Sequence, residues 1–262
     1  TASTPEKGFV PGKIHRQLLS PEPPHEGNHS DDKPKSQDIE LHFPSQNKQE
    51  ENGSVVITYQ SSRMNGYRGG SLSQQQLKQS ATIRLLCQIL REPLFDELRT
   101  KQMLGYIVHG YHDINYSTSN DSHNSNRSRT VPVDSIVCEV LSRKLTPTDM
   151  IDRMDTFLHE QFPDTILKQM SDGEIQSHAS ALTTKLLKPI QKLTTEASTN
   201  FNKIIYYAPE IYDSSASEDE SDMFLRDMPW NQIKELARQI EVVTKDDLLE
   251  VYNAMIVNVG TR

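Results

Sequence analysis

The stretch Glu92-Pro93-Leu94-Phe95-Asp96-Glu97-Leu98-Arg99-Thr100-Lys101-Gln102-Met103-Leu104-Gly105-Tyr106-Ile107-Val108 holds a helix end, a glycine turn and the start of a strand within seventeen residues. Upstream of it, Leu77, Ala81, Leu85, Leu86, Ile89 and Leu90 recur at helical spacing and predict a helix over Ser73–Leu90. Pro93 is expected to stop that helix, with a shorter helical piece from Phe95 to Gln102. Gly105 then releases the chain into a strand over Tyr106–Tyr111, and a second strand is predicted at Ser135–Leu141. Ile136, Cys138 and Val140 alternate there with Val137, Glu139 and Leu141, so both faces are largely apolar, as in a sheet covered on both sides. The two strands fit a long-looped hairpin, and the β-branched run Val55-Val56-Ile57-Thr58-Tyr59 adds another strand.

The second half reads as helical. Thr146-Pro147-Thr148-Asp149, Ser171-Asp172-Gly173-Glu174 and Thr244-Lys245-Asp246-Asp247 each begin a helix with a capping-box pattern, Asp replacing Glu in the first and third. Apolar residues follow each at helical period: Met150, Met154 and Phe157; Ile175, Ala179, Leu182 and Leu186; Leu248, Val251, Tyr252 and Met255. Two more helices are expected, one carrying Leu193, Ala197, Phe201 and Ile204, the other Ile233, Leu236 and Ile240. Val257-Asn258-Val259 reads as the start of a strand. The pattern predicts an α+β fold, with helices packed on one mostly antiparallel sheet.

The apolar share of 34% is low for a wholly globular chain of 262 residues. The deficit falls in residues 1–37, expected to be a disordered leader, and in polar surface insertions at about 115–130 and 212–223. The module is expected to span 38–262, with a short edge strand at 39–43. A net charge of −8 with dispersed basic residues argues against a nucleic-acid partner. No apolar run is long enough for a membrane span, and no signal peptide pattern stands at Thr1, where the start suggests a piece of a longer protein. Cys87 and Cys138 sit in apolar runs and read as buried free thiols, which places the protein inside the cell, in the reducing cytoplasm.

The chain lacks the residue patterns of a self-sufficient enzyme. There is no His-x-x-Glu-His, no Gly-x-Ser-x-Gly elbow and no phosphate-binding Gly-Lys-Ser/Thr loop. His109 and His112 lie three apart in a strand and point to opposite faces, so they cannot share a metal and read as surface or core histidines. No catalytic residue, metal ligand or cofactor is assigned within this chain.

Leu98-Arg99-Thr100-Lys101-x-x-Leu104-Gly105-Tyr106, preceded by Phe95 and followed by Val108, resembles the run Phe-x-x-Leu-Arg-Thr-Lys/Glu-x-x-Leu-Gly-Tyr-x-Val of the insulinase and pitrilysin branch of the M16 metallopeptidases. Leu85–Leu90, Leu187-Lys188-Pro189 and Thr244–Asp247 stand around it in that family's order, so the resemblance covers roughly residues 39–262. It implies a LuxS/MPP-like α+β module, the fourth and non-catalytic one of a four-module zinc endopeptidase. The zinc and its His-x-x-Glu-His would then belong to an N-terminal catalytic half, a partner within the same protein. The resemblance also assigns Arg99 and Tyr106 to contacts with a peptide substrate and with charge developing on its scissile carbonyl. Phe95, one helical turn before Arg99, would line the same pocket or pack in the core. The alternative is an M16 paralogue without an active site, serving as a structural or interaction module. Because the ligand set is missing, the dialysed chain is expected to hold well under one zinc per molecule by elemental analysis; one tightly retained zinc per chain would overturn that expectation.

Overall fold

The computed structural model describes residues 41, 43, 47, 49–61, 74–120, 128–207 and 232–257. Three strands, β1 (Gly53–Gln60), β2 (Ile107–Asn120) and β3 (Ser128–Ser142), form an antiparallel sheet in the order β1-β3-β2. Among the described residues six helices accompany it: α1 (Gln74–Leu94), α2 (Pro147–Thr156), α3 (Asp172–Leu187), α4 (Leu193–Tyr207), α5 (Gln232–Glu241) and α6 (Lys245–Tyr252). Helices α1, α2 and α6 run on without a break into wider turns, over Phe95–Lys101, Phe157–Leu167 and Asn253–Val257.

Helix α1 is the centre of the molecule. One side lies on β2 and β3; the others meet α3, α5 and α6. The expected apolar stripe is therefore only part of what it buries: Thr82, Ile83 and Cys87 are inside as well, because a helix enclosed by a sheet and by other helices has little solvent face. Against it the sheet presents Val108 of β2, Val55 and Tyr59 of β1, and Ile136, Cys138 and Val140 of β3, all buried. Gly110 also lies on this face, where a Cβ would come 3.0 Å from Leu94 Cδ2, so the missing side chain lets the helix end settle on the strand.

Pro93 does not stop α1, contrary to the sequence expectation. The helix passes through it and widens immediately afterwards, with Gln102 N–H donating to Glu97 C=O, five residues back, at 2.9 Å. A proline takes away one i→i−4 donor and crowds the preceding turn, and π-type turns accommodate this without ending the helix.

The hairpin is longer than its apolar alternation predicts. Pairing runs from Ile107↔Leu141 through Gly110↔Cys138 to Asn120↔Ser128, since a two-stranded ribbon is held by main-chain hydrogen bonds that polar side chains do not disturb. The expectation that both sheet faces are covered is not met among the described residues. On the face away from α1, Val137 of the central strand is buried, but Val56 and Tyr111 on its two neighbours are 56% and 43% exposed. β3 reads apolar on both sides because it is central and flanked by two strands.

The predicted helix starts are found where expected. Ser171–Glu174 and Thr244–Asp247 form complete capping boxes, each with the cap N–H donating to the carboxylate three residues on; Thr146 caps α2 by accepting the Asp149 N–H at 3.2 Å, but no such return bond from the Thr146 N–H is among those described, so that box is half formed. Elsewhere the sequence misleads. Leu41 and Phe43 are exposed and belong to no strand, Val257 ends a helix, and the α4 residues Leu193 and Phe201 are 80% and 60% exposed rather than in the core. The remainder of 39–43 and the 212–223 stretch lie outside the described residues. No helix among them is long and apolar enough to cross a membrane.

Beneath α2 and α6, Phe157, Phe162 and Tyr252 stack in sequence with ring centroids 6.1 and 6.0 Å apart, and the Tyr252 hydroxyl donates to the Leu158 carbonyl at 2.8 Å. Burial pushes the Tyr252 phenol up to about 12, from an ordinary 10.0. The neutral phenol is thus favoured in the folded state, so its contribution is complete below pH 10 and is lost as pH rises from 10 through about 12. Tyr252→Phe should cost about 1 kcal/mol at neutral pH, the net worth of one hydrogen bond. It should also make the alkaline loss of stability shallower, measured by urea unfolding across that window; an unchanged alkaline profile would contradict this.

Candidate functional site

The widened end of α1, the turn after it and the first residues of β2 form one edge of the module. Leu98 and Leu104 anchor it, each fully buried. The helix closes as Gln102 N–H donates to Glu97 C=O and Leu104 N–H donates to Leu98 C=O, both at 2.9 Å. Between these bonds Met103 is left-handed, with φ 53°. Glycine usually fills such a helix-ending position, and another residue there costs on the order of 1 kcal/mol. Gly105 has no such freedom of replacement. A Cβ on it would stand 2.0 Å from the Leu141 carbonyl oxygen, the same oxygen that accepts the Tyr106 N–H at 3.2 Å.

The three residues singled out from the sequence all lie on this edge. Phe95 opens the widened segment and is 48% exposed, so of its two expected settings it is not in the core. Arg99 follows four residues later and is half-buried, and Tyr106, just before β2, is 55% exposed. The neighbouring charges are spoken for. Lys101 reaches both Asp96, at 3.2 Å, and Glu97, at 3.1 Å, and Glu97 also accepts from Gln102 Nε2 at 3.0 Å. The bond from Gln102, then that from Lys101, holds the Glu97 carboxyl below its usual range, while the bonds to Glu97 and Asp96 raise the Lys101 ammonium. Among the described residues, the Arg99 guanidinium and the Tyr106 hydroxyl have no hydrogen-bond or ion-pair partner. The edge therefore offers two unengaged donors and an exposed ring. A peptide carbonyl, a carboxylate or an oxyanion would complement them.

A second polar cluster escaped the sequence reading. Asp134, buried on the inner face of the sheet, accepts from Ser80 Oγ of α1 at 3.1 Å and meets His112 Nε2 at 2.5 Å, so His112 is a paired, largely interior histidine. The aspartate lies between serine and histidine. Nucleophilic activation needs the histidine in the middle, so this cluster ties α1 to the hairpin rather than arming a serine. The alternation of β3, with Asp134 in phase with Ile136, was its only signal.

The described residues do not suit a zinc site. No group of three or more His, Cys, Asp or Glu side chains among those described could hold a metal ion. Cys87 and Cys138 are free and buried, and burial drives both thiols up, Cys138 to about 12, which keeps them protonated and poor as ligands.

The family model described as the Peptidase M16 inactive domain matches residues 13–124, a span that contains the whole Phe95–Val108 edge. The crystal structure of pitrilysin superimposes with a TM-score of 0.51 at 20% identity, covering 80% of this chain and 17% of that one. Residues 13–124 therefore resemble the M16 inactive domain, and the chain shares the fold of pitrilysin. Among curated proteins, a nardilysin-like protein of Arabidopsis thaliana is 26% identical over 131 residues, which is 50% of this chain and 11% of that protein. The insulin-degrading enzyme of Mus musculus is 25% identical over 182 residues, 70% of this chain and 14% of the enzyme. The A-factor-processing enzyme of Saccharomyces cerevisiae is 25% identical over 179 residues, 68% and 14% respectively. The chain thus spans about an eighth of the length of these relatives. The M16 match opens at residue 13, within the stretch whose composition suggests a leader.

Gly105→Ala should be poorly tolerated in this domain. With backbone rather than side chain in the way, the clash should cost about 3 kcal/mol or more, read as a lowered urea midpoint; a midpoint within error of the parent chain would contradict the packing described.

Proposed function

We propose that this chain is the peptide-holding, non-catalytic module of an insulinase-like zinc metalloendopeptidase. The observation that carries the reading is the unpartnered pair of donors, Arg99 and Tyr106, beside exposed Phe95, on an edge where Lys101 already occupies the nearby carboxylates. The guanidinium and phenol would hold a peptide backbone and steady negative charge developing on the scissile carbonyl, with Phe95 supplying an apolar wall. Zinc would be held by an N-terminal half of the same protein. It supplies Lewis-acid and water-activating chemistry there, and none of this chain's residues takes part in binding it. The match to M16 inactive domains and the resemblance of the motif to the M16 run support this division of labour.

A second reading, an interaction module of a protein without peptidase activity, is favoured by one observation. Leu187, Ile190, Leu193 and Phe201 leave the end of α3 and the start of α4 with exposed apolar residues suited to a protein partner.

The two are separated in the complete protein. Arg99→Ala and Tyr106→Phe are each expected to depress peptide hydrolysis by about a hundredfold, the loss of one preorganised donor worth on the order of 3 kcal/mol, with zinc content and unfolding midpoint unchanged. An effect confined to KM would assign the donors to ground-state binding. Wild-type kcat and KM in both variants would refute the peptide-holding role.

A further inference from the structure

Ser142, the last residue of β3, is 1% exposed. Its hydroxyl donates to the Leu104 carbonyl through a short hydrogen bond and accepts the Lys144 N–H at 3.1 Å. Leu104 is thereby held at both ends of its backbone, since its N–H is bound by the Leu98 carbonyl of the widened helix. The residue before it, Met103, is left-handed without being glycine, and the residue after it, Gly105, is pressed against Leu141. The whole covalent path from Arg99 to Tyr106 therefore runs through one residue clamped between helix end and strand end. Of the two clamps, the helical one is local. Among the described residues, only the Ser142 hydroxyl, 38 residues away in sequence, links the turn to the sheet through a side chain.

We infer that Ser142 is a positioning residue for the Arg99 and Tyr106 donors, fixing their separation through the Leu104 carbonyl. The inference rests on the peptide-holding reading above. Without the hydroxyl, a buried carbonyl loses its partner, and the turn can relieve the left-handed conformation at Met103 by shifting. Such a shift moves Tyr106 relative to Arg99. A misplacement of about 1 Å in a preorganised site is enough to cost on the order of a hundredfold in rate. Burial alone would give Ser142 no such role; a small residue packed in the core would act on stability and not on the coupling between donors.

The test is a double-mutant cycle in the complete protein, following hydrolysis of an internally quenched fluorogenic peptide. Ser142→Ala should lower kcat at least tenfold, with KM changed by less than threefold. Combined with Tyr106→Phe, it should add less than twofold to the loss seen for Tyr106→Phe alone, because the hydroxyl it positions is already gone. Ser142→Cys, a similar volume with a weaker donor, should fall between, and it carries the same cycle should Ser142→Ala not accumulate in folded form. Wild-type kcat in the Ser142 variants while Tyr106→Phe is impaired would overturn the inference and leave the peptide-holding reading intact. Fully multiplicative losses would overturn it likewise, leaving Ser142 a stability residue. Wild-type kinetics in Tyr106→Phe and Arg99→Ala would overturn both.

Discussion

The close seating of α1 on the inner face of the sheet governs the rest of this structure. Gly110 and the run Ile136, Cys138 and Val140 leave a surface shallow enough for Leu94, at the end of the helix, to rest directly on β2. Only a helix held that near can continue past Pro93 into widened turns and still deliver Leu98 and Leu104 to the core. Asp134 adds a polar tie at the other end, joining Ser80 of α1 to His112 of β2. Helix and hairpin are joined at two points, and the edge carrying Arg99 and Tyr106 continues directly from the one at Leu94.

That edge uses its own charges economically. Asp96, Glu97 and Lys101 satisfy one another in a local network, and Gln102 adds a fourth member. Surface pairs of this kind contribute little to stability. Their consequence lies in what they leave over: Arg99, between them in sequence, has no described carboxylate to answer. Arg99 is thus a half-buried cation without a partner among the described residues.

The M16 inactive-domain likeness and the local chemistry point the same way from independent evidence. The family match rests on residue identities over 13–124, whereas the unpartnered donors are a matter of geometry. Cys87 and Cys138 are buried thiols, and His112 is half of a part-buried pair with Asp134.

The α+β class, the helix starts at Thr146, Ser171 and Thr244 and the hairpin were legible in the sequence, because capping, periodicity and a glycine turn are local and leave local signatures; Phe95, Arg99 and Tyr106 were picked out only by the resemblance of their motif. The course of α1 through Pro93 was not legible, since whether a proline ends or widens a helix depends on what holds the helix beyond it. Nor was the one-sided cover of the sheet: β3 looks alike whether flanked by strands or by layers. The apolar stripe of α4 promised a core position that no described neighbour provides. Ser142 escaped notice for the same reason. Its partner lies 38 residues away, and a hydroxyl's hydrogen bond across that distance exists only once two strands have set their register, so the residues of the edge belonged to the sequence and their fixed geometry to the tertiary structure.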